Sequence, residues 1–168
     1  MAITRRNLTI VGWLLIAGGA LQILGAIFAW VGGGDASAIF MLSNAAIGVV
    51  FILLAMWSAS TDLARVAYII GAIGWLLLAV TSVVNLGAFG TIATFIAIVG
   101  SVFGGVVAYL GRVFTPQAIG IFFAAMIVGA VVLAMVLAGF TQHPFKDVVN
   151  LAFGALLIIA GVFVNQRK

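Results

Sequence analysis

Long apolar runs, interrupted by short polar or glycine-rich stretches, dominate the pattern of this chain. Six runs contain no charged residue, and each approaches or exceeds the roughly 20 residues that a helix needs to cross a bilayer. They are Leu8–Val31, Ala38–Ser58, Val66–Leu86, Ile92–Leu110, Ala118–Gly139 and Val148–Val164. The pattern therefore predicts an all-α membrane bundle of six transmembrane helices in a single domain that covers residues 1–168.

The breaks between the runs carry turn-forming residues. Pro116 and Pro144 mark the fourth and fifth breaks, and a glycine run marks the first. The third break, Gly87–Thr91, is short and uncharged. We therefore expect spans three and four to form a tight hairpin.

Charge predicts the orientation, because lysine and arginine accumulate on the cytoplasmic side of membrane proteins. With the N-terminus inside, only Lys146 falls outside. The other cations fall inside: Arg5, Arg6, Arg65, Arg112, Arg167 and Lys168. Merging spans three and four would spoil this asymmetry. The expected topology is three hairpins in the plasma membrane, with both termini cytoplasmic.

The N-terminal segment permits an alternative interpretation. Arg5 and Arg6 precede an apolar run, and Ala36-Ser37-Ala38 resembles a cleavage site. However, the run of about 24 residues exceeds the 7–15 residues of a signal-peptide core. We therefore favour a first transmembrane span.

An internal repeat supports the hairpin arrangement. Gly12–Ala26 and Gly74–Ala88 are identical at eight of fifteen positions, including Gly-Trp-Leu-Leu at the start and Leu-Gly-Ala at the end. Spans one and three run in the same direction in the predicted topology, so the repeating unit would be a helical hairpin.

Composition excludes several classes of protein. Hydrophobic residues form 66% of the 168 residues and charged residues 6%, whereas soluble domains are about 45–50% apolar and about 25% charged. The absence of cysteine excludes disulfides and thiolate chemistry. The net charge of +4 comes from residues that flank the spans, so it does not predict nucleic-acid binding.

The predicted spans contain no Asp, Glu, Lys, Arg or His. Proton pumps, intramembrane hydrolases and haem proteins depend on such groups. We therefore expect no enzyme activity, no cofactor, no metal site and no proton coupling. His143, beside Lys146 and Asp147 in the last outer loop, is interpreted as a solvated loop residue.

Polar side chains within the spans concentrate in the outer half of the predicted topology. The candidate residues are Gln22, Asn44, Asn85 and Asn150. One hypothesis is a polar vestibule that accepts a small neutral solute through amide hydrogen bonds. The alternative is that these amides join helices to each other, at about 0.6 kcal/mol for each bond.

Small residues at helical spacing mark candidate packing faces, since lipid-embedded helices associate through close contact of small side chains. One stripe is Gly100, Gly104 and Ala108, and the other is Ala130, Ala134 and Ala138. Either stripe would pack within the bundle or against another protein.

The chain resembles the HdeD-like family of small bacterial membrane proteins. The resemblance rests on Gly12–Ala26, on Gly74–Ala88, and on Asn44–Trp57 followed by Asp62-Leu63-Ala64-Arg65. It implies a three-hairpin fold and a link to acid resistance, with no catalytic motif.

Two functions follow from these features. The first is a non-enzymatic scaffold or accessory subunit in envelope stress tolerance, whose partners are membrane lipid and either a membrane protein or a second copy. The alternative is a channel or facilitator for a small neutral solute. Removal of the amides would abolish solute flux in a channel, and a scaffold would show no flux.

Overall fold

Six α-helices form the protein in a computed structural model that describes residues 3–84, 87–138 and 145–166. They are α1 (Arg5–Trp30), α2 (Ser37–Trp57), α3 (Asp62–Val83), α4 (Ala88–Leu110), α5 (Pro116–Leu137) and α6 (Phe145–Asn165). All six are long and apolar enough to cross a membrane. The prediction of an all-helical protein with six spans is thus confirmed.

Capping residues explain why several helices begin before the predicted spans. The Thr4 side chain accepts a hydrogen bond from the Asn7 backbone N–H at 3.3 Å, and Thr61 does the same for Ala64 at 3.1 Å. Such caps satisfy backbone donors that a helix leaves free at its first turn. Charged first turns are consequently part of α1 and α3, which the apolar pattern alone did not indicate, and α6 likewise includes charged residues in its first turn.

The third break lies earlier than the predicted Gly87–Thr91, because α3 ends at Val83 and α4 begins at Ala88. Gly87 has a φ of +57°, which glycine adopts without the steric cost of a Cβ, and α4 begins at the next residue. Arg65 and Asp62, three residues apart on α3, form an ion pair with Nη1 and Oδ1 3.6 Å apart. Both side chains are exposed, so this pair adds at most a few tenths of a kcal/mol.

The helices form a closed ring in chain order. Each packs against its neighbours in the sequence, and α1 packs against α6, more extensively than against α2. Gly12 contacts Gly161 and Gly19 contacts Gly154, so α1 and α6 are antiparallel. Gly74 contacts Ala97 and Gly100 contacts Gly71, so α3 and α4 are antiparallel too. The beginning of α1 and the end of α6 therefore share one end of the bundle, which we call the terminal end.

The contact between α1 and α6, which we call the seam, brings two backbones together through glycines. A Cβ built on Gly19 would lie 2.5 Å from the carbonyl oxygen of Gly154, and one on Gly154 would lie 2.6 Å from that of Gly19. Gly12 and Gly161 repeat this arrangement one heptad away. No residue other than glycine fits this spacing. The close approach lets Cα–H groups face carbonyls, at about 0.5–1 kcal/mol each.

The two predicted packing stripes have different fates. Gly100, Gly104 and Ala108 are buried inside the bundle, where Gly100 faces the backbone of Gly71. Ala130 and Ala134 are instead exposed on the outside of α5, the least buried helix, and Ala138 is exposed directly after its end. The first stripe is thus occupied by the protein's own α3, and only the second is open to lipid or to another protein.

Aromatic pairs cross the interior of the ring. Trp75 on α3 stacks on Phe153 of α6, with ring centroids 5.8 Å apart and planes 16° apart. Phe51 on α2 meets Phe122 of α5 at 6.2 Å. Each pair joins helices on opposite sides of the ring, so the two layers together fill the centre of the bundle.

Candidate functional site

A cavity of about 490 Å³ opens at the end of the bundle opposite the terminal end. Ligand pockets usually measure about 300–1,000 Å³. All six helices and the α1–α2 turn contribute to its wall. The polar lining consists of Gln22, Asp35, Ser37, Asn44, Thr81, Ser82, Thr94, Lys146 and Asn150. The cavity is therefore large enough for a small molecule and mixed in polarity.

The structure brings together three of the four amide residues that the sequence analysis singled out. Gln22, Asn44 and Asn150 line the cavity from α1, α2 and α6. Each is at least nine-tenths buried. Asn85 lies outside the described residues. The three amides come from helices that follow one another around the ring, with Gln22 in the middle.

A hydrogen-bond network links α1 with both neighbouring helices at this level. The Gln22 amide nitrogen donates to Asn150 Oδ1 at 3.3 Å. The Ser43 hydroxyl lies 2.9 Å from Gln22 Oε1 and 2.8 Å from the carbonyl oxygen of Gly18. Both ends of the Gln22 carboxamide are thus engaged, so Gln22 holds the wall in place.

Asn44 belongs to a separate link between α2 and α3. Its amide nitrogen donates to the Ser82 hydroxyl at 3.1 Å, and that hydroxyl donates to the Leu78 carbonyl at 2.8 Å. This link fixes the orientation of the Asn44 side chain. The Asn44 amide therefore joins two helices, which agrees with the alternative hypothesis that these amides connect helices to each other.

Trp75 and Phe153 form the floor of the cavity. The Trp75 indole N–H donates to the Ser101 hydroxyl at 2.8 Å, and Ser101 is fully buried. Stacking on one side and a hydrogen bond on the other hold the indole across the centre of the ring. The cavity is consequently closed toward the terminal end.

The void that follows below the floor, toward the terminal end, has an apolar lining. This second void has a volume of about 20 Å³ and lies in the terminal half. Its described lining consists of glycines and of apolar side chains, among them Phe51 and Phe122. A buried water needs two to four polar partners, and this void offers none from side chains. It therefore provides no continuation of the polar path.

The rim of the cavity carries one charge of each sign. Asp35, in the α1–α2 turn, accepts hydrogen bonds from the Ser37 hydroxyl and from the Ser37 backbone N–H at 2.8 Å. These two bonds lower the pKa of Asp35 below its ordinary value of 3.8. Lys146, on the first turn of α6, is exposed at the rim. Asp147 follows it and is buried.

The lowered pKa of Asp35 predicts how the turn responds to acid. A depressed folded-state pKa stabilises the protein above the unfolded pKa, and this contribution disappears as pH falls through the folded value. Asp35→Asn should therefore lower the Tm slightly at pH 7 and leave it unchanged near pH 2. Thermal unfolding followed by circular dichroism would measure this, and an equal loss at both pH values would contradict the assignment.

Sequence reasoning missed the aromatic part of the site. Trp13 and Trp75 occupy the same position of the repeat, yet Trp13 is 62% exposed and Trp75 only 4%. Phe40 completes the apolar wall.

The position of the asparagines, in contrast, had a signal in the sequence, the Asn-x-x-x-Gly pattern that α2 and α6 share. In both helices the asparagine faces the cavity, and the glycine one turn further meets Leu76 or Gly19.

Across the described residues, no three His, Cys, Asp or Glu side chains are grouped closely enough to hold a metal ion. The chain matches no protein-family model, no curated protein and no solved structure. The resemblance to the HdeD-like family accordingly stays a prediction, and the cavity is the feature from which a function must be argued.

Proposed function

We propose that the protein is a facilitator for a small uncharged solute, which it binds in the cavity. One observation carries this proposal: a ring of six apolar helices that surrounds a cavity of about 490 Å³ at one end, with buried amides and hydroxyls in its lining. A buried amide within a membrane is unfavourable in free energy unless it forms hydrogen bonds. Here they are gathered in one space that is open to one side of the bundle.

The lining favours uncharged solutes. Among the described residues of the wall, Asp35 and Lys146 are the charged ones, and they lie at the rim with opposite signs. An ion that moved past them would lose its hydration shell without a fixed counter-charge, at a cost of several kcal/mol. Amides and hydroxyls, in contrast, replace the hydrogen bonds that a neutral polar solute makes with water.

The aromatic layers make this conformation a closed one. Passage would require Trp75 to leave the floor, so we propose alternation between states and not a permanently open pore. In keeping with the charge distribution, the cavity would face the outside of the plasma membrane and the terminal end the cytoplasm. Four described cations, Arg5, Arg6, Arg65 and Arg112, lie at the terminal end.

Flux into proteoliposomes tests this function. We expect liposomes that contain the protein to swell faster than empty ones in isosmotic urea, acetamide or glycerol, and not in potassium chloride. Asn44→Leu combined with Asn150→Leu should return swelling to the rate of empty liposomes, because the cavity then loses both asparagine amides. Stopped-flow light scattering measures the rate.

Ser58→Ala is the matched control for that experiment. Ser58 is buried like the asparagines but lies at the terminal end, where it donates to Leu54 of its own helix at 2.7 Å. Its removal should leave swelling unchanged. Equal swelling of wild-type and empty liposomes with every solute would overturn the proposed function.

The exposed stripe on α5 favours a second candidate function. Ala130 and Ala134 lie on the surface of the least buried helix and Ala138 directly after its end, and small-residue faces bring membrane helices together. A scaffold or accessory subunit would use this face against another membrane protein or a second copy. Native mass spectrometry after gentle extraction would show a hetero-complex in that case, and a monomer would count against it.

A further inference from the structure

The amide groups of the cavity differ in what they leave unused. Gln22 donates to Asn150 and accepts from Ser43. Asn44 uses only its nitrogen, toward Ser82, and Asn150 uses only its oxygen, toward Gln22. Within the described part of the chain, Asn44 Oδ1 and Asn150 Nδ2 therefore make no hydrogen bond. The described residues thus leave one acceptor and one donor group for a ligand.

Both asparagines that carry these groups line the cavity. Asn44 is 6% exposed and Asn150 is 9% exposed. Among the described side chains, two polar atoms are fully enclosed and lack a hydrogen-bond partner, the Tyr68 hydroxyl and Asn165 Oδ1. Asn44 Oδ1 and Asn150 Nδ2 do not belong to this group. The little surface that these asparagines keep thus includes the atoms that are free to bind.

The two groups stand on helices that are not neighbours, since α1 separates α2 from α6 in the ring. A ligand that carries its donor and its acceptor on different atoms can reach both more easily than one with a single hydroxyl. Trp75, Phe153 and Phe40 supply an apolar aromatic surface beside these groups. Such surfaces favour flat, weakly polar molecules.

We propose that the cavity selects an uncharged carboxamide with a flat apolar body. The ligand N–H donates to Asn44 Oδ1, its carbonyl accepts from Asn150 Nδ2, and its apolar body lies against the aromatic floor. This assignment rests on the proposed function, because it names the solute class of the same cavity. It also makes a claim about equilibrium binding that does not depend on flux.

Benzamide is a suitable probe, with binding followed by the fluorescence of Trp75. The protein carries Trp13→Phe, Trp30→Phe and Trp57→Phe, so that Trp75 is the remaining indole. In detergent micelles we expect saturable binding of benzamide. Binding of toluene, methyl benzoate and benzoate should be at least several-fold weaker. A companion protein that keeps only Trp13, which faces outward, controls for partition of the probe into the micelle.

Substitutions then separate ligand binding from helix packing. Asn44→Leu should weaken benzamide binding roughly three- to tenfold, the value of one lost hydrogen bond. Asn150→Asp keeps the oxygen that accepts from Gln22 but removes the unused donor. It should weaken benzamide binding and strengthen binding of the cation benzylamine, which reverses the preference of the cavity. Ser58→Ala should bind benzamide with unchanged affinity.

Three results would overturn the carboxamide assignment. Equal affinity for methyl benzoate and benzamide would show that the donor has no role. Unchanged affinity in Asn44→Leu would show that the two asparagines only join helices. Absence of benzamide binding to a protein that still transports acetamide in liposomes would refute the binding mode and leave the proposed function standing. Absence of benzamide binding together with absence of acetamide transport would overturn the carboxamide assignment and the proposed function.

Discussion

Gly19→Ala is expected to destabilise the bundle even though alanine favours helix formation. The added methyl would lie 2.5 Å from the carbonyl oxygen of Gly154. Overpacking of this kind typically costs about 1–3 kcal/mol. Alanine in place of glycine recovers up to about 1 kcal/mol of helix propensity. The clash is with backbone, which cannot rotate away as a side chain would, so a net loss of about 1–2 kcal/mol remains.

Gly120→Ala is the matched control for the seam. A Cβ at Gly120, within α5, would meet no atom within 4 Å. The same chemical change there should be neutral or slightly stabilising. The measurement is unfolding in increasing SDS, followed by circular dichroism. Gly19→Leu should lower the midpoint further than Gly19→Ala does. Equal midpoints for Gly19→Ala and Gly120→Ala would show that α1 and α6 do not approach as closely as described.

Trp75→Ala should have the second large effect, on both stability and permeability. Truncation of a buried tryptophan typically costs about 3–5 kcal/mol. It also removes the stacking partner of Phe153 and leaves the Ser101 hydroxyl without its donor. With the floor gone, the cavity would extend toward the void beside Phe51. We expect faster and less selective swelling of liposomes in neutral solutes.

Trp13→Ala provides the comparison, because it alters the equivalent residue of the repeat on the outside of the bundle. It should change neither swelling nor the unfolding midpoint by more than a small amount. Trp75→Phe should be intermediate, since it keeps an aromatic ring beside Phe153 but loses one hydrogen bond, worth about 1 kcal/mol. If Trp75→Ala and Trp13→Ala behave alike, the indole does not close the cavity.

The helices of this protein could be predicted from the sequence because their signal is local. An apolar run of sufficient length spans a bilayer whatever its neighbours do. Helix starts were less predictable, because a threonine cap lets a helix begin among charged residues before the apolar run. Thr4 does this for α1 and Thr61 for α3. The gathering of Gln22, Asn44 and Asn150 followed from alternating direction alone, which places all three at the same end.

The environment of each helix face was not predictable in the same way. Trp13 and Trp75 share their local sequence but face opposite surroundings, because the neighbours of α1 and α3 differ. Likewise, the stripes that begin at Gly100 and Ala130 look alike in sequence. Gly100 is buried because Gly71 on α3 offers a backbone to receive it. Complementarity between distant segments decides such placements, and a single segment does not contain it.

The seam also has a consequence for the order of assembly. It joins the first helix of the bundle to the last. During synthesis the chain must therefore exist as an open arc, with Gly12 and Gly19 facing lipid until α6 has been inserted. The cavity lacks one wall for the same period, because Asn150 arrives with α6. The proposed solute binding would thus become available only after α6 has joined α1.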